Sequence, residues 1–315
     1  METEQTINLH LPKSWNAMTT QEMELIAHIM ICEQNRVSEK HPFDYDWVKI
    51  QMFLAITKLI IIETANPEKP VEEQFLLVCR QGHREEIALY LWQIHYWISE
   101  SMKWMDQPST RTLFPYPEYK HWFQKFAGPG ALMQNFKWRQ YRISTEYMDH
   151  YVSQANRLIQ MKENSQTSGR DLKKQLKATN LAKAMFLATI FNAQVKYMDT
   201  ETLRVIKGHT YISNQSISNL KAFRNFPDEK FQCVLFWWCG MMNYLQKNYP
   251  LVFKKQTSKK QEQVNPLELY TRTTATMEKY LGLKEEDVNR ETYTVVLRHL
   301  NDMAEHAKEM EKYRK

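Results

Sequence analysis

Residues 231–246, FQCVLFWWCGMMNYLQ, form the longest stretch of the chain without a charged side chain, held between Lys230 and Lys247. Pro227 sits ahead of it where a first helical turn tolerates proline, and Asp228 and Glu229 suit the positive end of a helix dipole. A helix this apolar on every side has to be enclosed by other elements. It is shorter than the roughly 18 residues that span a bilayer, so a buried central helix is expected and a membrane segment is not. The opening METEQTINLHLPKSW, acidic at Glu2 and Glu4, has neither the basic stretch nor the apolar run of a secretory signal.

Composition narrows the chemistry. Of 315 residues, 43% are hydrophobic and 25% charged, which is enough apolar surface for a core. The seven glycines are about 2% of the chain, against an average near 7%, so phosphate-cradling loops are scarce. GxxxxGK[ST], GxGxxG and GxSxG are all absent. Gly128-Pro129-Gly130 reads as a turn, because proline removes an amide that a phosphate site would need. Cys32, Cys79, Cys233 and Cys239 make no CxxC or knuckle pattern, and buried free thiols in a reducing cytoplasm are expected. His299, Asp302 and His306 share one helix side but read as solvated surface without HExxH, and the single ExxH spacing, Glu118 and His121, lies in a proline-broken loop. No catalytic residue, cofactor or metal site is expected, and the chain reads as non-enzymatic.

The periodicities give a mainly α, multi-helix globular protein with a small sheet or hairpin near the N-terminus. Residues 6–11 alternate as a strand, and 74–80 (QFLLVCR) reads as a strand able to pair with them. Thr19 with Glu22 makes a capping box for a first helix. A second helix, led by Asp44 and Asp46, continues to Ile62 before Asn66-Pro67, and a third runs from Arg84 to Met102. Prolines and glycines break 105–131 into an extended loop that Phe114, Tyr116, Tyr119, Trp122, Phe123 and Phe126 pack down. Helices follow over 141–158, over 171–197 after the polar stretch ENSQTSGR, from Pro227, over 266–280, and from Tyr293 to the end, with 203–212 a ribbon or a loop. Three regions result: 1–163 with short strands, 171–250, and 264–315, able to pack as one unit.

Two segments invite a binding role. Tyr293, Val296, Leu297, Leu300, Met303, Ala304, Ala307 and Met310 form one stripe on the last helix, opposite Arg298, Asp302, Glu305, Lys308, Glu309 and Lys312. Leu297, Leu300, Met303, Ala307 and Met310 are the candidate partner-binding surface, although internal packing is the commoner use of such a stripe. The second segment interleaves cations and aromatics at Lys137, Trp138, Arg139 and Arg142, with Lys254, Lys255, Lys259 and Lys260 in a basic loop, the usual partners of phosphates and bases. Against nucleic acid stand the modest net charge of +6 and the i, i+3 spacing of Trp138 and Tyr141, which fits a core stripe as well. Seventeen methionines on a helical chain suit adaptable protein contacts, and tilt the reading toward an interaction protein.

INLHLPKSWNAMTTQEM, FAGPGALMQNFKWRQYRISTEYMDHY, FPDEKFQCVLFWWCGMMNYLQKNYPLVF and TYTVVLRHLNDMAEHAKEMEKYRK, in this order, resemble an uncharacterised family encoded in phages and prophages of Bacteroidota bacteria. The resemblance spans most of the chain, and LPKSWN is its most telling part. It implies a morphogenesis protein, a tail-assembly chaperone or minor tail component that binds another phage structural protein of tail or tape-measure type. The place implied is the bacterial host cytoplasm or the virion. No catalytic residue is carried over from that family.

Overall fold

Local signals start and stop many of the elements. Thr19 N–H donates to Glu22 Oε2 at 2.7 Å and Glu22 N–H to Thr19 Oγ1 at 3.2 Å, the reciprocal box expected from the sequence. Asp44 accepts from the Trp47 amide (3.0 Å) and Ser168 from the Asp171 amide (3.1 Å) at two further N-caps. The computed structural model describes residues 11–37, 41–64, 69–70, 73–81, 86–164, 166–198, 205–209, 211, 218–253 and 266–313. Its elements in chain order are α1 (Thr20–Arg36), α2 (Tyr45–Thr57), β1 (Leu59–Thr64), β2 (Phe75–Arg80), β3 (Glu86–Tyr90), α3 (Leu91–Ser101), β4 (Glu118–His121) and β5 (Gln124–Ala127). There follow α4 (Trp138–Glu163), α5 (Gly169–Ile190), β6 (Asn192–Met198), β7 (Val205–His209), α6 (Leu220–Phe223), α7 (Asp228–Asn248), α8 (Pro266–Leu281), α9 (Glu285–Arg290) and α10 (Tyr293–Tyr313). The chain is mainly helical and carries two small antiparallel sheets, a three-stranded one in the order β1-β2-β3 and a four-stranded one in the order β4-β5-β6-β7.

Several expectations change. The second helix does not reach Ile62. Lys58 takes a left-handed backbone (φ 58), its amide bonds back to Ala55 and Leu54, and the β-branched run after Leu59 leaves as β1. The 74–80 strand forms as β2, but its partners are β1 and β3, while residues 6–10 of the expected N-terminal strand lie outside the described residues. The third helix begins at Leu91, because Glu86–Tyr90 are taken into the sheet as β3. The helix expected over 171–197 ends at Ile190, and the chain turns into β6. The loop over 105–131 contains the β4–β5 hairpin. Only Cys233 is a buried thiol: Cys32 and Cys239 are exposed and Cys79 is half-buried.

The chain packs as two units, 1–115 with 227–241, and 116–226 with 242–315. In the first unit, the apolar helix is enclosed on most of its surface, with Cys239 left exposed: Cys233, Val234, Trp237 and Met241 are fully buried. Trp237 meets Phe114 edge-on at 4.6 Å, and Trp15 lies 5.0 Å from Phe236 and 5.2 Å from Trp104. The Lys49 ammonium, on a side chain only 8% exposed, is held by Asp106 at 2.5 Å and Asp46 at 3.2 Å. Leu59, Leu76, Val78 and Leu89 of the three-stranded sheet are buried, while Ile60 and Ile62, around a bulge in β1, are exposed.

In the second unit, α4 and α5 form an antiparallel pair pinned by Gln175, whose Nε2 donates to the Gln154 carbonyl at 2.9 Å. Fully buried Gln140 on α4 donates to the Thr189 carbonyl (2.9 Å) and to Asn192 Oδ1 (3.1 Å), fixing the point where α5 gives way to β6. Phe126, Phe191, Phe223 and Phe226 make the aromatic core around Tyr119. Tyr293 at the start of α10 stacks on Tyr141 at 5.2 Å and donates to the Leu132 carbonyl at 2.6 Å.

Candidate functional site

The last helix is anchored at one end and bare at the other. Tyr293, Val296 and Leu297 are buried, so Leu297, at 1% exposure, belongs to the core and offers no surface to a partner. Leu300 and Met303 are half-buried. From Glu305 to the last described residue every position of α10 is exposed, including Ala307, Met310 at 59% and Tyr313 at 88%. Met303, Ala307, Met310 and Tyr313 follow one another at helical spacing, so an apolar stripe faces water for the last two and a half turns or so. Isolated helix of that length is marginal in water and gains most from a partner that covers its apolar side. His299 lies 6.1 Å from the Tyr280 ring, and exposed His306 stands 4.0 Å from Glu309. Among the described residues no group of three His, Cys, Asp or Glu side chains is placed to hold a metal.

The basic and aromatic segment at the start of α4 divides. Lys137 and Arg139 are exposed, but the Trp138 ring is 2% exposed and stacks on Tyr141 at 5.7 Å, so it presents no face to a base. The i, i+3 spacing here builds core. The Arg142 guanidinium lies over the Trp138 ring at 5.9 Å. Arg139 and Arg142 then line a crevice of about 450 Å³ with Glu146, Glu285 and Glu286, where the carboxylates outnumber the cations and oppose a phosphate. Lys254, Lys255, Lys259 and Lys260 lie outside the described residues.

A different basic and aromatic segment is displayed instead. Lys120-His121-Trp122-Phe123-Gln124-Lys125 is the tip of the β4–β5 hairpin, and Trp122 and Phe123 are its two-residue turn. They do not pack the loop down as expected: Trp122 is 86% and Phe123 98% exposed. The base of the hairpin is firm. Phe126 is 1% exposed against Phe223 at 5.1 Å, and Tyr119, its phenol pushed above the ordinary value by burial, donates to the Ala222 carbonyl at 3.3 Å. Trp122 holds a left-handed backbone (φ 56), a position that tight hairpin turns usually give to glycine or asparagine. Lys120 and Lys125, both exposed, stand directly opposite each other in the register. Sequence periodicity hides this site because aromatic residues in a proline-rich stretch usually pack. The readable signal was the pair of lysines set symmetrically about two aromatic residues.

No helix among the described residues is long and apolar enough to cross a membrane. The chain matches no protein-family model, no curated protein and no solved structure.

Proposed function

We propose that the protein is a non-enzymatic binding protein of phage or prophage morphogenesis, a tail-assembly chaperone or minor tail component acting in the bacterial host cytoplasm. Its partner is another phage structural protein that exposes an apolar helix face, as a tape-measure chain does before the tube surrounds it. The observation that supports this reading is the free end of α10, where Met303, Ala307, Met310 and Tyr313 line one side of a helix that nothing else among the described residues covers. An amphipathic helix laid along another helix buries such a stripe at i, i+4, i+7 spacing. Leu300 and Met303 mark where internal packing hands over to that surface.

The test is a tagged pull-down from cells producing the phage, with mass spectrometry and nuclease controls, repeated with Ala307→Asp/Met310→Asp. Recovery of a tail or tape-measure protein by the parent chain and its loss with the double variant, at unchanged thermal stability, supports the reading. Recovery that survives the double variant removes α10 from the interface. A parent chain that captures no structural protein overturns the function.

A further inference from the structure

The hairpin at 118–127 parts from its sheet before it reaches its tip. β5 pairs with β6 only at Phe126–Ala193 and Ala127–Asn192, so residues 120–125 stand as a two-stranded ribbon that, among the described residues, pairs only with itself. The two turn residues, Trp122 and Phe123, are large, adjoining and almost wholly in water. The left-handed backbone of Trp122 is a strain that folds keep where a side chain must be presented in one direction. Lys120 and Lys125, both exposed, are direct cross-strand partners, and like charges so placed destabilise a sheet. The stretch 119–127, YKHWFQKFA, contains no acidic residue that would relieve them. Each feature costs the folded chain something, and one kind of surroundings offsets all of them: an apolar medium with an anionic surface.

The spacing fits that medium in depth. Each lysine is two residues back from the turn, about 7 Å along its strand. Amphipathic elements held in a bilayer interface bury their apolar side about 5–10 Å into the boundary between headgroups and acyl chains. A hairpin entering tip first to that depth carries the two rings to the boundary and leaves both ammonium groups among the lipid phosphates. Tryptophan is itself a residue of that boundary, where its ring is covered and its N–H stays with the polar headgroups.

We propose that the Trp122–Phe123 tip is a membrane-surface anchor that enters one leaflet of an anionic bilayer, with Lys120 and Lys125 as its electrostatic collar. Single-stranded nucleic acid is the poorer fit, because it calls for cations strung along a groove, and these two lysines stand side by side at one level. A pocket on another protein gives no reason for one cation on each strand at equal distance from the turn. The contact is attachment to a surface and not a span, and it is separate from the free end of α10.

Flotation of the full chain with vesicles of equal parts phosphatidylcholine and phosphatidylglycerol, at low and at raised salt, tests this, with pure phosphatidylcholine vesicles as the neutral comparison. Association with the anionic vesicles that weakens with salt is expected. Lys120→Gln/Lys125→Gln should weaken it about thirty-fold, since each lysine near an anionic surface contributes a factor of about five. Trp122→Ala/Phe123→Ala should weaken it about a hundred-fold or more, through the apolar area that no longer leaves water. Trp122→Phe should still float, but should lose most of the fluorescence quenching that brominated lipids cause in the parent chain. Ala307→Asp/Met310→Asp should leave flotation unchanged, which separates the tip from the amphipathic α10. Absence of association at low salt overturns the proposal. So does equal affinity for neutral vesicles, association that the tip variants leave intact, or capture of an oligothymidylate by the tip in place of the vesicles.

Discussion

Gly240, in the middle of α7, lies so close to the backbone of Arg111 that a Cβ at this position would overlap the Arg111 carbonyl oxygen and amide nitrogen. A helix interior normally disfavours glycine by about 1 kcal/mol relative to alanine. Here the missing side chain is the groove in which the 109–113 segment runs. The same Arg111, 5% exposed, sends its guanidinium the other way, to the carbonyl oxygens of Trp15 (3.0 Å), Met18 (2.6 Å) and Leu113 (2.9 Å).

Gly240→Ala is therefore expected to destabilise the protein by about 3 kcal/mol or more, since the obstruction is backbone and cannot rotate away. Gly169→Ala is the control. Nothing lies within 4 Å of a Cβ there, so about 0.5 kcal/mol of stabilisation is expected from a less flexible unfolded chain. Urea denaturation of the two variants checks both signs.

Arg111→Lys keeps the charge and loses the fork. An ammonium on a shorter reach cannot serve three carbonyl oxygens in separate directions, and burial already disfavours the charged form at this site. A loss of about 2 kcal/mol is expected from the same urea titration.

Stability should fall steeply at alkaline pH. Burial pushes the Tyr141 phenol up to about 12, and that of Tyr293, which it stacks on, is raised as well. An unfolded phenol ionises near 10. Between about pH 10 and 12 the unfolded chain thus loses a proton that the folded one keeps, and unfolding becomes easier as pH rises. Tyr141 alone accounts for about 3 kcal/mol across that window. Tyr141→Phe should flatten the alkaline limb of a stability profile measured by urea midpoint, and an unchanged slope would sink this account.

Trp122→Gly is expected to raise stability slightly, by about 0.5 kcal/mol, because glycine accepts φ 56 without strain and an 86% exposed ring contributes little packing. Thermal unfolding measures it. A gain in stability from deleting a tryptophan would be the mark of a side chain kept for contact with something else.

Much of the helical framework could be read in advance from particular residues. The Thr19–Glu22 box, Pro227 before α7 and Gly282 (φ 66) after α8 each act through local chemistry that a sequence displays. The strands β1 and β3 could not be read that way. Leu59–Thr64 continues the apolar spacing of α2, and only the left-handed Lys58 and the pairing with β2 decide for strand. The β4–β5 turn lacks the glycine or asparagine by which hairpins are recognised. Where the two candidate stripes lie in the fold has a single cause. Whether an aromatic or apolar stripe is core or surface depends on what long-range packing leaves uncovered, which buried Trp138 and Leu297, and exposed Trp122 and Met310.

The first unit closes only with residues 227–241, which follow an insertion of the whole 116–226 segment. On a ribosome moving at about 5–20 residues per second, Trp15 and Phe114 would be outside the exit tunnel for roughly ten seconds before Trp237 and Phe236 are even translated. Half of one core is thus made long before its other half, while the inserted segment is still emerging. A fragment ending before position 227 lacks the helix that closes this core, and the first unit's earliest folding event is a wait.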